Sequence, residues 1–334
     1  MSSPILDLSY RNYDGPLHAP KYRWWPIAKT TMRIAMKKKA MWICMALSAW
    51  YYFAMIFILF IMDQIISQAP VRPGQPNPME AFFARIVWKD QFMHAFSYGQ
   101  IMYLAVVLFL GAGAIANDNR ANALLVYLSK PVTKLDYLIG KWMGVFVPIL
   151  LAMIIPAAVF YLYGLMSYRD KGFISQDPWL FVKLLVVCPL AAGFHASLIV
   201  GVSSFFNQGR LAGAAYAGFY FLSNFFTHLM GLTYMGMSGA FERRPRGAGM
   251  PSGAGGGTAD LVSTLFYGSI DGTNIGLLKS MLNTAGSMPF GMPGRGFFIK
   301  APPLWMPLLI MGSLSAISLL IAWRKIKAVE VIGG

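Results

Sequence analysis

Residues that could do chemistry are few and scattered. The single Gly-Lys pair, Gly140-Lys141, is followed by Trp142. It has neither the upstream glycine loop that wraps phosphates nor the Ser/Thr that holds magnesium in a P-loop. No catalytic residue is assigned, and any nucleotide energy must be captured by another chain. The four histidines, His18, His94, His195 and His228, show no metal-ligand spacing among themselves. Cys44 and Cys188 each fall within an apolar run, which suggests neither a disulfide framework nor a zinc site. The 22 methionines, among them Met281, Met288, Met292 and Met306, offer soft thioethers suited to copper(I). They lack a tight repeated spacing, and methionine is also ordinary filler in apolar helices, so no metal site is assigned. His195 stands apart, because an ionisable residue well inside an apolar run is a candidate for a transport path. A single hydrogen bond between helices would satisfy it equally well.

The elements that must position these residues are membrane helices. Apolar residues make up 57% of the chain and charged residues 12%, against roughly 45–50% and 25% in soluble proteins. The formal net charge is +15, which in a soluble chain would suggest nucleic acid. Here it must first be divided between the two faces of a bilayer, and no basic run is interleaved with stacking aromatics, so nucleic-acid binding is excluded as a reading. The expected fold is an all-α membrane protein with six transmembrane helices.

Residues 1–40 form a basic N-terminal segment with no removable signal peptide. Between Trp24 and Lys39, Ile27, Thr31, Ile34 and Ala35 share one helical face while Lys29, Arg33 and Lys37 share another. That pattern, with Pro26 at the first helical position, predicts an interfacial helix on an anionic leaflet. A transmembrane domain over 41–323 follows, with spans near 41–62, 96–116, 137–165, 180–206, 211–235 and 304–323; about 20 apolar residues cross ~30 Å of hydrocarbon. Residues 79–91 are expected to form a short surface helix. Only Asn207 to Arg210 separate the fourth and fifth spans, which must therefore be antiparallel neighbours. Pro148, Pro156 and Pro189 mark kinks within spans. Lys and Arg concentrate in 1–40, in 117–141 and in the basic tail 324–334, so both termini and the 117–136 interlude are expected to be cytoplasmic. The long external segment 236–303 contains Gly/Pro-rich stretches. Its Leu261, Leu265, Ile275, Leu277, Leu278 and Met281 predict one or two short helices dipping into the outer leaflet, tolerable only where protein buries their ends.

The interlude between the second and third spans is where the pattern is richest. Ala121, Leu124, Leu125 and Leu128 recur at i, i+3, i+4 and i+7, the spacing of a short amphipathic helix. Pro131 should end it, and Thr133 stands three residues before Asp136, a capping-box spacing that opens the next helix. Such an element could be gripped by a soluble partner; pattern alone fits a loop lying on the headgroups just as well.

The run Leu124-Leu125, Ser129, Pro131, Val132, Thr133, Lys134 and Gly140-Lys141 resembles the segment between spans two and three of type-2 ABC transporter permeases. The basic amphipathic start, the six spans, the short fourth-to-fifth connection and the long segment before the sixth are similar to that family as well. The family often opens this segment with two acidic residues around a basic one and then Gly-Thr. This chain instead has Asp118, Asn119, Arg120 and then Asn122-Ala123.

The resemblance implies a coupling helix that docks on a separate ABC ATPase subunit, with Asp118, Arg120, Leu124, Leu125, Leu128, Ser129, Pro131 and Lys134 as the partner-binding residues. It implies a second permease subunit, identical or not, and ATP with magnesium on the ATPase rather than on this chain. It also implies a location in the bacterial cytoplasmic (inner) membrane. The expected function is the permease subunit of an ATP-driven exporter or lipid-handling complex. The alternative is a permease-fold membrane anchor or scaffold without transport; a channel or secondary transporter is disfavoured because almost no charge lies inside the spans to bind a coupling ion.

Overall fold

The computed structural model describes residues 22–68, 78–83, 85–123, 132–237, 257–287 and 299–326. All regular structure among them is helical. Five helical stretches are long and apolar enough to cross a membrane, at Trp50–Ser67, Trp88–Arg120, Lys134–Lys171, Leu180–Ser203 and Trp305–Lys325.

Helix α1 (Trp24–Met36) buries Ile27, Ala28, Thr31 and Ala35 and leaves Lys29, Arg33 and Lys37 exposed, the division of an amphipathic helix. Ile34, expected on the apolar face, is instead exposed, and the helix begins two residues before Pro26. The first expected span is broken into α2 (Lys39–Ser48) and α3 (Trp50–Ser67) at Ala49. Ser48 contributes to the break, its hydroxyl bonding back to the Met45 carbonyl.

The expected surface helix over 79–91 is only α4 (Pro78–Phe83), because Trp88 already opens α5 (Trp88–Gly111). Trp88 is fully buried and stacks on Tyr168, and its backbone N–H is accepted by the Gln176 side chain. These contacts draw Lys89 to Gln91 into the span. After α5 come the short α6 (Ala116–Arg120) and the long α7 (Lys134–Tyr168), in which Pro148 and Pro156 are accommodated. The turn α8 (Phe173–Gln176) leads to α9 (Leu180–Ser203), and α10 (Gly209–Met237) returns beside it. Helix α10 is long enough for the fifth expected span, but Ser223, Asn224, Thr227 and His228 make it less apolar than the five.

Two short helices, α11 (Gly257–Phe266) and α12 (Ile270–Leu282), precede α13 (Trp305–Lys325). They supply the short helices expected in the long segment. Ser269 caps α12 by accepting from the Gly272 N–H. Leu277 and Leu278 are buried, whereas Leu261 on α11 faces outward. The inner end of α12 is held by polar contacts: Asp271 accepts from the Tyr220 hydroxyl and the Asn224 amide, and Asn274 reaches His195 at 3.0 Å. Tyr216, which also touches this cluster through His195, lies about 10 Å along α10 from its start at 1.5 Å per residue. The α11–α12 hairpin therefore penetrates deeply between α5, α9 and α10, and protein buries its tip, as a non-spanning element in a bilayer requires.

Close helix packing fixes α1 to the bundle. A Cβ placed at Gly140 would stand 2.7 Å from the Trp24 carbonyl oxygen and from Ile27 Cβ, and one at Gly144 would stand 2.6 Å from Thr31 Cβ. The i, i+4 glycines of α7 thus form the groove in which α1 rests. Gly140→Leu should push α1 off α7 at a cost of about 1–3 kcal/mol. The expected result is a lower melting temperature in detergent and new protease sensitivity between residues 22 and 39; unchanged values would show that α1 does not depend on this groove.

Candidate functional site

Helix α6 sits where α5 ends, and its position is fixed from three directions. Buried Ser203 at the end of α9 accepts from the backbone N–H groups of Ile115 and Ala116 at 3.1 and 3.0 Å and donates to the Ala112 carbonyl at 2.9 Å. One hydroxyl thereby satisfies the backbone groups freed where the chain breaks from α5 into α6. The Asn119 amide donates to the carbonyls of Ser204 and Phe206, and Asn117 Oδ1 accepts from Gly209 N–H, so the α9–α10 turn is tied to α6 as well.

The third tie is ionic. Asp118 Oδ2 lies 2.7 Å from Lys141 Nζ and accepts from the Tyr137 hydroxyl at 2.8 Å. The two side chains are only 17% and 8% exposed, so each charge offsets part of the other's desolvation cost. Asp118 therefore faces inward onto α7, bridging the two ends of the interlude. The Gly-Lys pair of the sequence motif acquires a structural reason here: Gly140 admits α1, and Lys141 anchors Asp118.

At the other end, Thr133 and Asp136 form the expected capping box. Thr133 Oγ1 accepts from Asp136 N–H, and the Asp136 carboxylate accepts from Thr133 N–H, both at 3.1 Å. The helix they start begins at Lys134, three residues earlier than the apolar run suggests. Ala121, expected to open the amphipathic stripe, instead lies at the end of α6, and Asn122 turns the chain with a φ of 49°. Asparagine tolerates that left-handed conformation better than most residues. Ala121 is thus separated by this turn from Leu124, Leu125, Leu128, Ser129 and Pro131, which lie outside the described residues. Arg120 is exposed on α6, and Lys134 is partly exposed at the start of α7.

His195, the other candidate, is fully buried. The Asn274 amide donates to its Nε2, so Nδ1 carries the proton and donates to the Tyr216 oxygen at 3.0 Å. Both ring nitrogens are therefore used inside the protein, joining α9 to α10 and to the inner end of α12. Lys29, Arg33 and Lys37 remain on the outer face of α1. Among the described residues no group of three or more His, Cys, Asp or Glu side chains could hold a metal ion.

Sequence reasoning missed the Asp118–Lys141 pair and the role of Ser203. The pair had a signal, since both members flank the capped proline turn with one acid and one base. Ser203 had none, because its partners are backbone atoms more than 80 positions away.

The arrangement defines a helical integral membrane protein whose surface segment is braced against several spans. A family model described as ABC-2 family transporter protein matches residues 25–270, and the chain belongs to that family. It is a membrane permease subunit of an ABC transporter, of the kind that works with an ABC ATPase and is not itself the ATPase. A comparison with curated proteins gives no match.

The brace can be measured. Replacing Asp118 with Asn removes the counter-charge beside buried Lys141 and should cost on the order of 3 kcal/mol. In a double-mutant cycle with Lys141→Met the two losses should be strongly non-additive. Additive losses in thermal unfolding would mean that the pair contributes nothing as a pair.

Proposed function

We propose that this permease converts ATP-driven movement of a separate ATPase into a change of access across the membrane, with the segment 117–136 as the contact. Two permease subunits pair, and an ATPase binds beneath each, holding the ATP and magnesium. The assignment to six spans takes α10 as the fifth and α2 with α3 as the first. Both termini and the 117–136 segment face the cytoplasm of a bacterial cell, in its inner membrane. The chain divides into the basic segment 1–40, the transmembrane domain 41–323 with the external segment 236–303, and the tail 324–334.

The observation that carries this reading is the bracing of α6. A push on the segment reaches α7 through Asp118, α9 through Ser203 and the α9–α10 turn through Asn117 and Asn119. Interior packing is dense and nearly incompressible, so a short helix tied in this way moves with its mounts. Leu124, Leu125 and Leu128 supply the apolar face gripped by the ATPase, with Arg120, Ser129, Pro131 and Lys134 around it. His195 acts as a joint between the hairpin and the bundle. The hairpin itself closes the bundle from the external end.

Leu124→Asp with Leu128→Asp should weaken ATPase association by tenfold or more, the equivalent of about 1.4 kcal/mol or greater. Co-purification from native membranes in mild detergent checks it. If the ATPase stays bound to the doubly substituted protein, the segment is not the coupling contact; if wild-type protein brings down membrane or surface proteins and no ATPase, the anchor reading replaces transport.

A further inference from the structure

A cavity of about 970 Å³ opens beside α6, bounded by the end of α1, the last turns of α5 and the first turns of α10. Its lining is mixed in character: Ile34, Leu108 and Phe109 are apolar, and Lys38, Arg120 and Arg210 add three cations. Asp118 and Lys141 also reach the cavity, but they neutralise each other. None of the three cations belongs to an ion pair between described residues. Lys38 instead lies 5.8 Å from the centre of the Phe109 ring.

All three cations are exposed, and together they give this hollow a local positive field that attracts an anion. Two features set the chemistry of that anion. Arginine presents a planar fork of donors that matches the oxygens of a phosphate, and lysine adds a compact charge. The apolar part of the lining, Ile34 from α1 with Leu108 and Phe109 from α5, suits a hydrocarbon portion of the same ligand. Small residues keep it open: a Cβ at Gly213 would already be 3.3 Å from Ala112 Cβ. A volume near the upper end of the ~300–1,000 Å³ range of small-molecule sites accommodates a headgroup and the first part of a chain.

We propose that this cavity binds an amphiphile with a phosphate headgroup, its phosphate between Lys38, Arg120 and Arg210 and its chain along Ile34 and Phe109. The ligand is either a phospholipid of the surrounding leaflet or a phosphate-bearing cargo on its way through. The binding site goes beyond the coupling role; only the identity of the leaflet as cytoplasmic rests on the topology proposed above.

The test uses the full-length chain with its ATPase partner in nanodiscs of phosphatidylcholine doped with phosphatidic acid. Retained lipid is read by native mass spectrometry. Phosphatidic acid should be enriched over its share of the disc, and Lys38→Gln with Arg210→Gln should reduce the enrichment about tenfold, a change of ~1.4 kcal/mol. Lys38→Arg with Arg210→Lys should retain it. Equal enrichment in the Gln variant would overturn the proposal, and so would complete displacement of the lipid by an equal concentration of inorganic phosphate, since the chain would then contribute nothing. A photoactivatable phosphatidic acid gives a readout on unsubstituted protein: labelling of peptides from α1, α5 or the start of α10 supports the site, and labelling confined to other helices refutes it. A cargo would stimulate the partner's ATP hydrolysis, whereas a resident phospholipid would bind without stimulating it; both support the site. Loss of the ATPase with the enrichment intact would remove the coupling role and leave this inference standing.

Discussion

The contact between Asp118 and Lys141 connects the two ends of the chain's most polar excursion. Both groups are nearly out of water, where an uncompensated charge costs several kcal/mol, so each confines the other to one geometry. Tyr137 strengthens that confinement by donating to the same carboxylate oxygen. The excursion between α5 and α7 consequently begins and ends on a fixed platform. Ser203 and the two asparagines extend the platform to α9 and α10, so its position is set by the packing of the whole bundle rather than by the segment's own residues.

Around that platform the bundle uses two kinds of adhesion suited to a bilayer, where apolar burial alone does not draw helices together. One is close approach at small residues: Gly140 and Gly144 admit α1, and Gly201 of α9 meets Ser318 of α13, where an added Cβ would lie 2.7 Å from the serine Cβ. The other is sparse polar bonding between helices, such as Trp142 to Ser197 at 2.9 Å and the His195 bridge from Tyr216 to Asn274. The hairpin of α11 and α12 depends on the second kind. Its buried tip carries Asp271 into the bundle, held by Tyr220 and Asn224.

Local signals made much of this architecture legible from the amino acids. The Thr133-to-Asp136 spacing marked the cap of α7, the i, i+4 alternation of apolar and basic residues marked α1, and apolar runs marked the central parts of the long helices. What was not legible depended on distant partners. The first span breaks at Ala49 without a proline or glycine to announce it, and Trp88 extends α5 outward only because Tyr168 and Gln176 arrive from elsewhere. Asp118 read as a surface acid for a partner because a sequence does not reveal that Lys141 will sit 2.7 Å away. Likewise the cavity draws Lys38, Arg120 and Arg210 from three separate elements, and no spacing connects them.

The central claim is that α6 and α7 move as one body, so that a force on the surface segment becomes a movement of spans. The most direct measurement is the distance between spin labels at exposed Ala121 and at exposed Leu162 on α7, after Cys44 and Cys188 have been replaced. It is made by pulsed electron resonance on the complex with its ATPase, without nucleotide and after trapping with ATP, magnesium and vanadate. The account predicts that this distance stays the same within one subunit while label pairs between the two permease subunits change. A shift of several ångströms within the subunit would contradict it, because the segment would then be moving independently of the helix it is meant to drive.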